Sequence, residues 1–313
     1  MTESLTASRG AVGAWSDPFL DDWRTGYEVV RGDGYAMAVV RERRVCPRCA
    51  GSGRVEVSAP DQPLRVGRCR CQKVVDACAL WNSAEVPARH AHCTLDSFKS
   101  DIPGASPGYT IARSWLARYD PKKEGKGLVL EGEPGRGKTH LLCGILRELV
   151  FKHAVAVRFV EFTHLLSTMK ESFDKRGGDP VRLTLLARTP VLAIDELGKG
   201  RKTDWEMAII DEIVSRAYNQ GSLLLGTTNF APRTGTVRPP TGPVVAGAPG
   251  SLARGDSESL QDRLGDRVFS RLREMVTFAS VRGDDFRECF RESRTEARTE
   301  ARTEARTGSR TLR

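Results

Sequence analysis

The segment Gly132-Glu-Pro-Gly-Arg-Gly-Lys-Thr139 constrains this chain more than any other, because it directly follows the apolar run 127–131 and directly precedes a helical pattern opening at Lys138. In that context the spacing Gly132-x4-Gly137-Lys138-Thr139 reads as a phosphate-binding loop. Gly132, Gly135 and Gly137 let backbone N–H groups close around phosphate oxygens, and the following helix points its positive end at them. Lys138 is placed to reach the β- and γ-phosphates, and the Thr139 hydroxyl to hold Mg²⁺. A nucleoside triphosphate is the expected ligand.

From Tyr109 onward the chain alternates helix and strand. Strands are predicted at 127–131, 155–161, 191–194 and 223–227, with a last one near 276–279. Helices are predicted at 138–152, from the capping box Thr203-Asp-Trp-Glu206 onward, and as one continuous helix from Ser259. Strands separated by such helices call for an α/β fold with a parallel sheet covered on both faces. The 28 residues from 162 to 189 exceed one crossover helix and are read as two. The first carries Leu165, Met169 and Phe173, and the second opens at Asp179-Pro180. Pro232 to Asp256 is rich in Pro, Gly, Ser and Thr and reads as a loop.

Around the phosphate loop, Asp195 and Glu196 end the apolar strand Val191–Ile194. Asp195 would hold Mg²⁺ through water, and Glu196 would polarise an attacking water. Asn229, after the strand ending in Thr227-Thr228, is a turn residue taken alone; in this register it would orient that water or sense the γ-phosphate. The helix from Ser259 buries Leu260, Leu264, Val268 and Leu272 at four-residue spacing, with Arg263, Arg267 and Arg271 as a parallel stripe. Such arginines are either solvated helix charges or the finger that one subunit inserts into its neighbour's nucleotide site. Arg271 is the first choice for that finger and Arg267 the second. Lys170, Lys175 and Arg176, with Arg182 and Arg188, form a basic crossover: a solvated face by default, a single-stranded DNA track if the site works on nucleic acid.

Eight cysteines in 313 residues, irregularly spaced, argue for metal ligands or buried thiols over a disulfide framework. Cys46, Cys49, Cys69 and Cys71 have the spacing C-x2-C-x19-C-x-C, and the first pair sits in a Cys-Pro-Arg-Cys-Ala-Gly turn. Four thiolates around Zn²⁺ is the favoured reading, and a redox pair the competing one. Cys78, Cys93, Cys143 and Cys289 read as ordinary thiols, and His90 and His92 as connector residues, with replacement of a cysteine ligand as the alternative. The net charge of +9 is concentrated: residues 41–73 hold nine basic against three acidic residues, and the tail 291–313 holds seven against four. Basic flanks on a neutral centre suit polyanion contact at the ends. The tail repeats Arg-Thr-Glu-Ala, which in a helix would stack like charges at i,i+4, so it reads as disordered. No apolar run is long enough to span a membrane and no signal pattern opens the chain, so a cytoplasmic protein with no membrane partner is expected.

The set GEPGRGKT, VLAIDELGKGRKTDWE, LLLGTTN and GDRVFSRLRE resembles the DnaC/DnaI-type helicase loaders, within the AAA+ clade that includes the initiator DnaA and the transposition helper IstB. The resemblance spans roughly residues 87–290 and implies an AAA+ P-loop ATPase using ATP and Mg²⁺. The segments CPRCAGSG and GRCRC resemble the zinc-bearing N-terminal modules of phage and Gram-positive loaders, which implies a replicative DNA helicase as partner. The two-helix crossover resembles an insertion that contacts single-stranded DNA in the clade. By the same resemblance Lys138, Thr139, Asp195, Glu196 and Asn229 inherit ATPase roles and Arg271 mediates self-association. Too few residues follow the last strand for a full helical lid, so the lid is expected to be reduced or absent. The implied organisation is a zinc-binding, helicase-interacting module at 1–86, a connector with the ATPase's first helix at 87–126, the AAA+ domain at 127–290, and the tail at 291–313.

Overall fold

A computed structural model describes residues 26–41, 46, 48–57, 65–101, 104–176, 186, 188–233 and 258–286, with backbone alone for 57 and 173–176. The first elements are two antiparallel hairpins, β1 (Tyr27–Arg31) with β2 (Ala36–Val40), and β3 (Arg54–Val57) with β4 (Arg65–Arg68). Helix α1 (Gln72–Ser83) follows, then a 3-10 turn at Ala88–His90 and helix α2 (Ser106–Arg118). The nucleotide fold itself runs β5 (Gly127–Glu131), α3 (Lys138–His153), β6 (Val157–Glu161), α4 (Phe162–Arg176), β7 (Val191–Asp195), α5 (Asp204–Gln220), β8 (Leu223–Thr228), α6 (Leu260–Leu264), α7 (Asp266–Met275) and β9 (Val276–Ser280).

The five strands β5 to β9 make one parallel sheet in the order β6-β7-β8-β5-β9. Alternation along each strand divides the core between the two faces. Leu128, Leu130, Val191, Ala193 and Leu225 join the cluster under α1, α2 and α3. Val129, Leu192, Ile194 and Leu224 join the cluster under α4 to α7. Each of the Leu, Ile and Val side chains among them, taken fully out of water, contributes about 1.5–3 kcal/mol. Both faces being covered is why the strands read as continuous apolar runs. The order places β5 between β8 and β9, so the loops after β5, β7 and β8 meet at one end of the sheet, where ligands of open α/β sheets bind.

The expected strands appear within two residues of their expected bounds, and the Thr203/Glu206 capping box forms in both directions. The expected helix from Ser259 is instead two. Gly265 adopts φ 76°, ψ 158°, which ends α6 and starts α7. Leu260, Leu264, Val268 and Leu272 are all buried across that break, so the four-residue pattern reports burial correctly and continuity wrongly. The predicted start of the second crossover helix at Asp179 and the tail lie outside the described residues, whereas Leu186 and Arg188 near its end are helical and Leu186 is buried.

The core also runs across residue 86. Tyr27, Ala36, Ala38, Ala77, Cys78 and Trp81 belong to the same cluster as Leu149 and Phe151 of α3. The Tyr27 and Phe151 rings stack with centroids 3.5 Å apart, and the Trp81 indole N–H donates to the Ala36 carbonyl at 3.1 Å. The hairpin β1–β2 and α1 therefore pack as part of the nucleotide-binding body. None of the described residues from 46 to 71 joins that cluster.

Gly265 occupies a conformation that side chains adopt at a cost of about 1–3 kcal/mol. Gly265→Ala is expected to lower unfolding free energy by that amount in urea denaturation, with an unchanged slope.

Candidate functional site

The phosphate loop closes as its spacing predicts. Gly132, Gly135 and Gly137 have φ of 148°, 81° and 79°, and Gly137 in the left-handed region turns the chain into α3. At Gly135 a Cβ would collide with the Asp285 carboxylate, and the Phe286 N–H donates to the Gly135 carbonyl at 3.1 Å. The chain after β9 thus returns to the loop, and the Phe286 ring packs 5.1 Å from that of Phe98. Lys138 is 6 % exposed, its Nζ donating to the carbonyls of Gly132 at 2.8 Å and Glu133 at 2.7 Å. The loop's own carbonyls thus fix the ammonium at the mouth of the glycine cradle.

Asp195 is brought against Thr139. The Thr139 hydroxyl donates to Asp195 Oδ1 at 2.9 Å, and the Thr227 hydroxyl to the same oxygen at 2.5 Å. Burial pushes the Asp195 carboxyl above its ordinary range, against the two hydroxyl bonds that pull it down. A buried carboxylate with hydroxyl partners, and no cation among its hydrogen-bond donors in the described residues, suits a divalent ion beside it.

Glu196 follows with φ 58°, an uncommon conformation for a non-glycine residue. Its N–H donates to Thr227 Oγ1 at 3.0 Å, and its carboxylate meets Lys199 Nζ at 2.6 Å. Thr227 therefore ties both acids, and Leu197 N–H closes the set on the Thr227 carbonyl at 2.8 Å. The sequence reading missed this residue. The signal was the pair Thr227-Thr228 inside an otherwise aliphatic strand, which costs burial unless the hydroxyls are used. Asn229 lies just past β8 and is exposed.

The arginine stripe divides at Gly265. Arg263 turns inward, donating from Nε to the Gly198 carbonyl at 2.9 Å and from Nη2 to the Gly200 carbonyl, with its guanidinium over the Phe230 ring. It clamps the loop after Glu196 and is no part of an outward row. Arg271 Nη1 donates to Asp211 Oδ1 at 2.8 Å, and Arg267 Nε lies 3.6 Å from the same oxygen. Arg271 is 26 % exposed and Arg267 74 %, so Arg267 is the freer of the two in the single chain. Lys170 is exposed and lines a groove with Arg201, Trp205 and Glu206. Lys175 and Arg176 lie in the last turn of α4, where only backbone is described.

At the other end of the chain, the four cysteine sulfurs converge within 4.8 Å of one another. Cys46 and Cys69 Sγ are 3.7 Å apart, and Cys49 and Cys71 Sγ 3.6 Å. Zinc–sulfur bonds of about 2.3 Å in a tetrahedron separate the sulfurs by roughly 3.8 Å, so the residues fit a tetrathiolate ion. The Gly53 N–H donates to Cys49 Sγ at 3.3 Å. Although burial raises the Cys49 thiol, that bond and the neighbouring thiols bring it down to about 7, while burial pushes Cys71 up to about 12. His90 and His92 take no part in this set.

A parallel sheet in this order, a phosphate loop after β5 and an acid pair at the end of β7 define a AAA+ P-loop fold. The model of the IstB-like ATP binding protein family matches residues 91–232. The replicative helicase loader DnaC of Escherichia coli strain K12 is 25 % identical over 194 residues, covering 62 % of this chain and 68 % of that protein. The phage-like element PBSX protein XkdC of Bacillus subtilis strain 168 is 26 % identical over 222 residues, covering 67 % and 81 %. A crystal structure of the DnaC helicase loader superposes with a TM-score of 0.50 at 28 % identity, covering 62 % of this chain and 99 % of that one. The chain is thus similar to DnaC-type helicase loaders over 62 % of its length, and for a AAA+ P-loop protein ATP and Mg²⁺ are the expected ligands and ATPase chemistry the general activity.

Two substitutions test the site. Asp195→Asn keeps an acceptor for both hydroxyls and removes the buried charge, so the nucleotide-free protein is expected to melt a few degrees higher, while losing the added stabilisation from Mg²⁺ with ATP in the same melting assay. Thr227→Val is expected to slow hydrolysis by about 10- to 100-fold, roughly 1.4–2.7 kcal/mol, with ATP affinity little changed in a nucleotide titration.

Proposed function

We propose that this protein is an ATP-dependent loader of a replicative DNA helicase, using ATP binding and slow hydrolysis as a switch on single-stranded DNA during replication initiation in the cytoplasm. The observation that carries the reading is the Thr139–Asp195–Thr227 set beside a closed phosphate loop, in a chain whose relatives include a replicative helicase loader. In this reading Gly132, Gly135, Gly137 and Lys138 hold the phosphates, and Thr139 and Asp195 position Mg²⁺. Glu196, released from Lys199, polarises the attacking water, and Asn229 senses the γ-phosphate. Arg271, drawn from Asp211 by a neighbour's γ-phosphate, completes that neighbour's site, with Arg267 as the second candidate.

Cys46, Cys49, Cys69 and Cys71 hold a structural Zn²⁺ that shapes residues 46–71 into the helicase-gripping surface. Lys170, with Lys175 and Arg176, contributes to a DNA track in which the exposed groove beside Trp205 supplies charge and an aromatic face. The likeness to an IstB-like ATP binding protein favours a second reading, a transposition helper that assembles on duplex DNA. The cysteine set, which supports a separate gripping element, weighs toward the loader.

The test is a pull-down from the native cell with the full-length chain and with Cys46→Ser/Cys49→Ser. The loader reading expects a hexameric helicase in the first and a loss of about tenfold or more in the second. Recovery of a transposase in place of a helicase overturns it, and equal helicase recovery by both proteins overturns the role of the cysteine element. Adding ATP and single-stranded DNA and measuring assembly size tests the finger: Arg271→Ala is expected to remain monomeric.

A further inference from the structure

We propose that His92, Cys93 and His140 form a second metal site, for a zinc-class divalent ion, between the connector and the first turn of the P-loop helix. Among the described residues, candidate ligand atoms converge in two places, the Cys46 set and this one, where all three atoms lie within 4.8 Å of one another. Cys93 is 2 % exposed, and its Sγ is 3.9 Å from His92 Nε2. Metal bonds of about 2.3 Å to sulfur and 2.1 Å to nitrogen, at a tetrahedral angle, separate the two by roughly 3.6 Å. A small movement of the exposed His92 ring meets that distance.

The surrounding hydrogen bonds are those that orient metal ligands. His140 Nε2 lies 2.9 Å from the Thr94 carbonyl, which can only accept, so Nε2 carries the proton and Nδ1 the lone pair. Ligating histidines spend their second nitrogen on an outer carbonyl in this way. Arg89 Nε donates to His90 Nε2 at 3.0 Å, which puts the His90 proton on Nδ1, 3.8 Å from the Cys93 sulfur. His90 is thus an outer donor to the sulfur, and three protein ligands leave a fourth position for water.

A site with one exposed ligand and one open position exchanges its ion more readily than a closed tetrathiolate. Its location gives that exchange a consequence. His140 follows Thr139 directly, and on the next turns Gly144 packs against Leu95 of the connector. A bound ion would pin the connector to the helix that carries the phosphate loop.

The test is titration of metal-stripped, reduced full-length protein with Co²⁺, read in its ligand-field and thiolate charge-transfer bands. In the Cys46→Ser/Cys49→Ser background, one equivalent with a mixed sulfur–nitrogen spectrum is expected. His92→Ala in that background, at an exposed position, is expected to weaken binding at least tenfold, with an unchanged melting curve. Cys93→Ala, verified as folded by the same curve, is expected to abolish the charge-transfer band. No Co²⁺ bound in the Cys46→Ser/Cys49→Ser background, or binding there that His92→Ala leaves unchanged, overturns the site.

Discussion

Asp195 sits at the end of β7 with 1 % of its surface exposed, and one of its oxygens accepts from hydroxyls on two other elements. An ionised carboxylate in that position is costly without partners, so its placement dictates where those elements go. Thr139 fixes the first turn of α3, and therefore the phosphate loop, against the end of β7. Thr227 fixes β8 in register beside it and passes the same hydroxyl to the Glu196 N–H. The nucleotide site is thus held by a few short bonds at the strand ends. The two apolar clusters supply most of the folding energy, and these bonds decide which loop faces which.

The legible parts of the chain were those where one residue pattern has one structural solution. Fully apolar runs bounded by glycine or an acid located the parallel strands, because a strand covered on both faces tolerates little else. The capping box at Thr203 and Glu206 marked a helix start, since its two reciprocal bonds need only local geometry. The phosphate loop was legible for the same reason: Gly135 and Gly137 meet a demand of the local backbone.

The illegible parts depended on contacts distant in sequence. A stripe of Leu260, Leu264, Val268 and Leu272 is satisfied by one helix or by two around Gly265, and only the sheet beneath them chooses. Thr227 reads as a strand former until Asp195 is seen beside it. The cysteine spacing suggested a self-contained module ending near residue 86, whereas Tyr27 and Trp81 find their partners in α3, more than sixty positions away. The His92, Cys93 and His140 grouping was equally hidden, because His140 reads as the residue after a phosphate loop and the other two as connector.

Cys71 directly precedes α1, and at the far end of that helix the Ala84 carbonyl accepts the Phe159 N–H of β6 at 2.8 Å. Along β6 the next residues pair with β7, Glu161 standing opposite Asp195. The path from the cysteine loop to the buried acid is therefore one helix and two strands, with no linker in it. The cysteine loop and the buried acid are thus two ends of one packed, hydrogen-bonded body, so a displacement of either has a continuous path to the other.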